Sequence, residues 1–260
     1  MKWDVVYEKA IRKDGSLLFP ERLTKEFLEQ ARRTMGSYLF ANQYQNEVIP
    51  EDAKVFKPQW LKYWDKLPSP ANRFGFIDPA IGQKEHHDYT GIVVVDVDVN
   101  GFWHIRVANR YRFTPTEIVS KMFELQREFQ LKALGVEVVA YQEALLYMLD
   151  AEMKRRQTVL PVKGITRKAV SKETRIMGLV PRFEWGRILL APGLTSLEDE
   201  YASFPRGAHD DLLDALASLE ELVFAPQRES TELKQPHSPA DPNYERWIIQ
   251  QMAKRQQGEY

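Results

Sequence analysis

The 260-residue sequence contains no cysteine. Disulfides and thiolate-bound zinc are therefore excluded, and any metal centre must use oxygen or imidazole donors. No apolar run is long enough to span a bilayer, and the N-terminus lacks a signal-peptide pattern; no membrane partner is expected. A Gly-x-x-x-x-Gly-Lys-Ser/Thr phosphate loop is missing, as are Gly-rich substitutes for it. An excess of one charge is missing too. The 36 Lys and Arg stand against 37 Asp and Glu, a net charge of −1, so local charge must decide whether nucleic acid is a partner. What is present is a core-forming composition, 43% hydrophobic and 12% aromatic, sufficient for one domain of ordinary size plus extensions.

Residues 1–70 read as a linker or docking segment. Leu23 to Gly36 is predicted helical, with Thr24 as N-cap. Tyr38 to Asn46 mixes aromatics with amides. The stretch from Pro50 to Pro70 is rich in aromatics and prolines and reads as an extended connection packed on another surface, with Trp60 and Trp64, like Trp185, as packing residues. A linker at 67–71 ends it. Residues 71–224 carry the periodicities of a domain. Phe74 to Asp78 is a short strand closed by Asp-Pro, and Gly91 to Val99 is β-branched almost throughout. Asn100-Gly101 signals a type I′ hairpin, and Phe102 to Tyr111 is the returning strand. Thr114-Pro115 opens a helix to about Leu134. A strand at 136–140, a helix at 143–156, a strand at 158–162, a basic stretch with a short helix, a strand at 187–190, and a helix from Asp210 to Val223 follow. Three antiparallel strands followed by alternating helices and strands predict an α/β mixed sheet. Residues 225–260 read as a polar tail with a short helix at 244–252. No internal repeat is found.

The most informative stretch is Phe204-Pro-Arg-Gly-Ala-His-Asp-Asp-Leu-Leu-Asp-Ala-Leu-Ala217. Asp210 and Asp211 open an otherwise apolar helix, and Asp214 lies one turn on. A helix N-terminus favours acids, which explains one Asp but not three beside a Gly and a His. Two further acids lie on predicted strands. Asp78 ends the first, where a turn role before Pro79 is the alternative. Glu137 lies among Val136, Val138 and Val139, where an acid costs free energy unless paired or metal-bound. A mixed sheet can bring Asp78, Glu137 and Asp210/Asp211 to one edge. Adjacent carboxylates need a compensating charge. Two divalent cations about 4 Å apart would supply it, one activating water and one stabilising the leaving oxygen of a phosphodiester. With oxygen ligands only, Mg²⁺ or Mn²⁺ is the natural choice.

These residues resemble a known family. Phe76-Ile-Asp-Pro-Ala80, Asp88-Tyr-Thr-Gly-Ile92, Gly135-Val-Glu-Val-Val-Ala-Tyr-Gln-Glu-Ala-Leu145, Pro181-Arg-Phe-Glu-Trp-Gly-Arg-Ile-Leu-Leu190 and the helix start at His209 occur together, in this order, over residues 73–223. The combination is similar to the C-terminal nuclease domain of the tailed-phage terminase large subunit, and residues 37–64 resemble the segment leading into that domain. The resemblance implies a ribonuclease H-like fold, Mg²⁺ or Mn²⁺ dependence, and endonucleolytic cutting of concatemeric phage DNA in the host bacterial cytoplasm. Its implied ligands are Asp78, Glu137 and one of Asp210 or Asp211, with Asp211 favoured; Asp88 is either a fourth acid or a loop cap. Its implied partners are double-stranded DNA, a terminase ATPase domain or subunit, the small terminase subunit and the portal. The missing phosphate loop departs from the family's usual two-domain pattern: the motifs support cleavage and not translocation.

Residues 163–187 hold seven basic side chains against two acids. Lys163, Arg167, Lys168, Lys172 and Arg175 are read as a phosphate-attracting rim beside the acids. No base-reading motif is present, so phosphate-dominated, salt-sensitive binding is expected. His209 either tunes a metal ligand or assists the leaving group, or is a local hydrogen-bonding residue; Asp214 is auxiliary. Lys154, Arg155 and Arg156 suit the basic end of a helix. His86-His87 is not read as a metal site. A ribonuclease H-like resolvase or transposase would carry the same acids but prefer branched or specific ends. A non-catalytic motor-docking DNA-binding module would gain nothing from clustered acids near phosphate.

Overall fold

A computed structural model describes residues 7–47, 54–79, 89–137, 143–166, 170–227, 244 and 247–249. The chain divides into two compact units, Met1–Pro226 and Gln227–Tyr260. In the second, Tyr244 and Trp247–Ile249 are helical, and the Tyr244 and Trp247 rings lie 6.3 Å apart.

The first unit is built on one sheet. Its strands are β1 (Ala71–Asp78), β2 (Thr90–Asp98), β3 (Trp103–Tyr111), β4 (Ala133–Glu137), β5 (Val162–Ile165) and β6 (Ile188–Leu190), in the order β5-β4-β1-β2-β3-β6. β1, β2 and β3 form an antiparallel meander, while β4, β5 and β6 join in parallel. This is the ribonuclease H-like mixed α/β sheet that was expected. The β-branched run of β2 is buried on both faces, as a central strand covered on two sides requires.

Helices α2 (Pro115–Phe129) and α3 (Glu143–Arg156) cover one face. Ile118, Met122 and Leu125 of α2 and Leu145 and Leu149 of α3 pack there with Ile77, Ile92, Val94 and Val136. α2 starts as its sequence dictates: Thr114 and Glu117 form a reciprocal capping box with Pro115 in the first turn. The other face carries α4 (Lys172–Met177), α5 (Val180–Glu184), α6 (Thr195–Ser203) and α7 (Asp211–Ser218). Leu212, Leu213 and Leu216 of α7 pack with Phe74, Phe76, Val93 and Val95. Each of these fully buried leucines contributes about 1.5–3 kcal/mol. An exposed charge pair contributes about 0–1 kcal/mol, so the apolar stripe fixes α7 whatever its acids do.

Residues 54–64 join this core. Val55 and Phe56 are buried in it, Tyr63 bridges to Leu190, and Trp64 Nε1 donates to the Ile105 carbonyl at 2.9 Å. Upstream, α1 (Lys25–Gln45) has Thr24 as N-cap, accepting from the Phe27 amide. It runs past the predicted end at Gly36, which is non-helical at φ 77°. The break seats α1 on α5: Ser37 N donates to Glu184 at 2.7 Å, and a Cβ at Gly36 would lie 3.2 Å from Glu184 and Val180. Ala10, Leu28 and Phe40 form a small cluster of their own beneath it.

Several boundaries differ from the sequence reading. α2 stops at Phe129 because Gln130 turns left-handed at φ 51°; Leu131 and Leu134 continue the apolar spacing in sequence but lie in the turn and in β4. β4 therefore starts three residues earlier than predicted, and its predicted end at 138–140 lies outside the described residues. β5 is Val162–Ile165 rather than 158–162, since Thr158 N closes the end of α3 on the Met153 carbonyl. The β2–β3 turn is not type I′. Gly101 alone takes positive φ, at 79°, and donates to the Asp98 carbonyl at 3.0 Å, the pattern of a three-residue loop ending in a left-handed glycine. α7 gives way at Leu219 to a 3₁₀ turn. Trp185 is 51% exposed and not a packing residue. The one short helix predicted between β5 and β6 is two, α4 and α5, and α6 was not anticipated.

Candidate active site

Two acids come from neighbouring strands. β1 and β4 run parallel with Ile77 beside Val136, so Asp78 and Glu137, the next residue on each, end the two strands side by side. Alternation along each strand puts both on the face of Phe74 and Phe76, where α7 packs, and not on the face of Ile77 and Val136. Asp78 is half-buried, and Glu137 is only 4% exposed.

α7 brings the other two. Asp78 is paired across the sheet with Gly91 of β2. A Cβ at Gly91 would lie 3.2 Å from the Asp211 carbonyl oxygen, so the missing side chain lets the start of α7 rest on the strand beside Asp78. Asp210 stands at the N-cap and Asp211 is the first helical residue. Neither role is ordinary capping. Asp210 makes no side-chain cap hydrogen bond; the amides of Leu212 and Leu213 donate instead to Glu200 of α6, at 2.9 and 3.0 Å. That leaves both aspartates for another partner, Lys172 at the start of α4. Its Nζ lies 2.6 Å from Asp210 and 2.9 Å from Asp211. Burial opposes the ammonium charge, but the hydrogen bonds and charges of the two aspartates outweigh it and hold Lys172 well above the usual lysine range. His209 Nδ1 is 3.9 Å from Asp211, and its ring meets Tyr89 edge-on at 5.4 Å.

The remaining predicted residues separate. Lys163 is exposed on β5, beside Gly135 in register. Arg175 is not part of an open rim: it forks onto Asp214 with contacts of 2.8–3.0 Å. Asp214 is fully buried in that pair, a structural ion pair between α4 and α7. Asp88, Arg167, Lys168 and His86-His87 lie outside the described residues. Among the described residues no three His, Asp or Glu groups close on one point as a finished metal centre; two of the acids hold Lys172 instead.

Two acids on this frame were missed by the sequence reading. Asp96 of β2 is fully buried and paired with Arg73 at 2.6 Å, with Arg106 at 3.6 Å; it lies on the opposite sheet face and is structural. Glu200 is 2% exposed and 3.6 Å from Arg110 of β3. Burial pushes its carboxyl up to about 7, the two amides and Arg110 pulling the other way. An acid at a buried spacing in α6, beside Leu197 and Tyr201, was the signal that could have found it.

No protein-family model matches the chain, and no curated protein does. Among solved structures, the large terminase nuclease of thermophilic phage G20c with bound magnesium has a TM-score of 0.50 at 17% identity, covering 66% of this chain and 99% of that one. The human cytomegalovirus terminase nuclease domain gives 0.48 at 14% identity over 64% and 94%. The yeast mitochondrial Holliday junction resolvase Ydc2 gives 0.39 at 14% identity over 89% and 96%. At such identities the likeness is one of fold.

Proposed function

We propose that this chain is a divalent-metal-dependent endonuclease that cuts double-stranded DNA, and that its substrate is the concatemeric genome of a tailed phage during packaging in the bacterial cytoplasm. The observation that carries the reading is the convergence of Asp78 and Glu137, ending adjacent parallel strands, under a helix whose Asp210 and Asp211 are freed from capping and neutralised by Lys172. The fold it shares with a terminase nuclease supports it.

The donor chemistry suits Mg²⁺ or Mn²⁺: carboxylates are hard oxygen ligands, and the chain has no thiol to favour softer metals. Asp78, Glu137, Asp211 and Asp210 would hold the ions, with Asp88 a further candidate. A bound pair of such ions supplies a nucleophilic water and charge neutralisation at the scissile phosphate. The chain's own residues do the rest. The two parallel strand ends carry Asp78 and Glu137 on one sheet face, and the buried leucines of α7 fix the helix that carries the aspartates on that face. Lys172 carries the compensating charge and is available to a phosphate oxygen when cations take over that duty. Lys163, exposed on β5, would attract phosphates, with Arg167 and Lys168 as further candidates for that role. His209, 3.9 Å from Asp211, would tune a metal ligand or assist the leaving group. The segment 1–70 and the tail 225–260 are proposed to meet the terminase ATPase domain or subunit, the small subunit and the portal.

The test is cleavage of supercoiled plasmid with EDTA, Mg²⁺ or Mn²⁺, beside Asp78→Ala and Glu137→Ala. Nicking and linearisation that need metal and vanish in both variants are expected. Wild-type rates in either variant would remove that residue from the site, and a preference for branched junctions over plasmid would redirect the reading to a resolvase.

A further inference from the structure

Asp210 and Asp211 can face a cation only if something else satisfies the first amides of α7. An unpaired amide in a buried helix start costs about 1–3 kcal/mol, and an aspartate at the N-cap is the usual remedy. Here the remedy arrives from another helix. Glu200 of α6, 12 residues before Leu212 in the chain, places one carboxylate oxygen between the amides of Leu212 and Leu213. Its other oxygen is 3.6 Å from Arg110 of β3 and, among the described residues, neither of those two atoms makes a hydrogen bond. Arg110 lies over the Tyr89 ring at 5.5 Å, Arg112 over the same ring at 4.7 Å, and Arg112 donates to the Tyr89 hydroxyl at 2.9 Å. His209 meets the edge of that ring. One connected set of contacts therefore runs from Glu200 through Arg110 and Tyr89 to His209 and Asp211, around the start of α7.

We propose that Glu200 is a positioning residue of the acid site: by capping α7 from outside, it fixes where the helix begins and leaves the carboxylates of Asp210 and Asp211 to a cation. The proposal rests on the nuclease reading for the cation, but the capping role stands without it. Glutamine at 200 keeps an oxygen for both amides, whereas alanine removes it.

The experiment measures two things on the full chain for wild type, Glu200→Ala and Glu200→Gln: hydrogen exchange at the amides of Leu212 and Leu213, and Mn²⁺ affinity by electron paramagnetic resonance. In folded Glu200→Ala both amides should exchange at least tenfold faster, and Mn²⁺ affinity should fall 10–100-fold, the range found when a residue orienting a metal ligand is removed. Glu200→Gln should restore both to within a few-fold of wild type. If Glu200→Ala does not fold, Glu200→Asp, which withdraws the oxygen by one methylene, should show the same direction. Unchanged exchange, or faster exchange with unchanged Mn²⁺ affinity, overturns the proposal, as does a Glu200→Gln variant as impaired as Glu200→Ala. A wild type that binds no Mn²⁺ refutes the metal reading instead, and the exchange rates then decide the positioning role alone.

Discussion

At the scale of single residues, the chain uses one functional group, the carboxylate, in several ways that only surroundings distinguish. Asp96 and Asp214 are fully buried and each is held by arginine. Asp210 and Asp211 share an ammonium. Glu200 accepts amides. Breaking a buried ion pair strands a charge and costs about 3–5 kcal/mol, so Arg175→Met should lower unfolding free energy by that order in a urea titration. Asp211→Asn removes one of the two charges that hold Lys172 and should lower stability by about 1 kcal/mol or less while abolishing plasmid cleavage. Glu200 also predicts a pH dependence. Its native value of about 7 lies above the ordinary 4.5, so the native state holds that proton more tightly. Its contribution to stability is complete below pH 4.5 and is lost as pH rises through 7, reaching about 3 kcal/mol. Thermal melts from pH 5 to pH 8 should show the fall in wild type and a flatter profile in Glu200→Gln.

At the scale of elements, periodicity located the pieces, and packing set their ends. The capping box of α2 and the β-branched run of β2 were legible because their signals are local. The end of α2 was not, since Leu131 and Leu134 fit a helical spacing until the left-handed Gln130 redirects the chain. What caps α7 was hidden for the same reason: a cap supplied by Glu200 from α6 leaves no local trace. Close approach between elements yields a further prediction. A Cβ at Gly135 would lie 2.5 Å from the Phe76 ring, well inside contact distance. Gly135→Ala must displace Phe76 and should destabilise by about 1–3 kcal/mol, measured by chemical denaturation.

At the scale of the molecule, the sheet sorts acids by face. Strand alternation sends Asp78 and Glu137 toward α7 and Asp96 toward α2, so three acids of similar sequence context divide between a candidate site and the structure. The rim charge acts over the same scale. Lys163→Ala should weaken duplex binding about equally for all sequences and reduce the salt slope by about one.

The sequence by itself determined the strand meander, helices α2, α3 and α7, the exclusion of thiolate metals, and the short list of acids, because composition, alternation and Asp-Pro or Thr-Pro signals act within a few residues. The tertiary structure alone decided which acids share a face, that Arg175 and Asp214 serve each other, and that Glu200 caps a helix it does not belong to. Those outcomes depend on register between strands and on contacts between helices distant in the chain, and no local pattern encodes either.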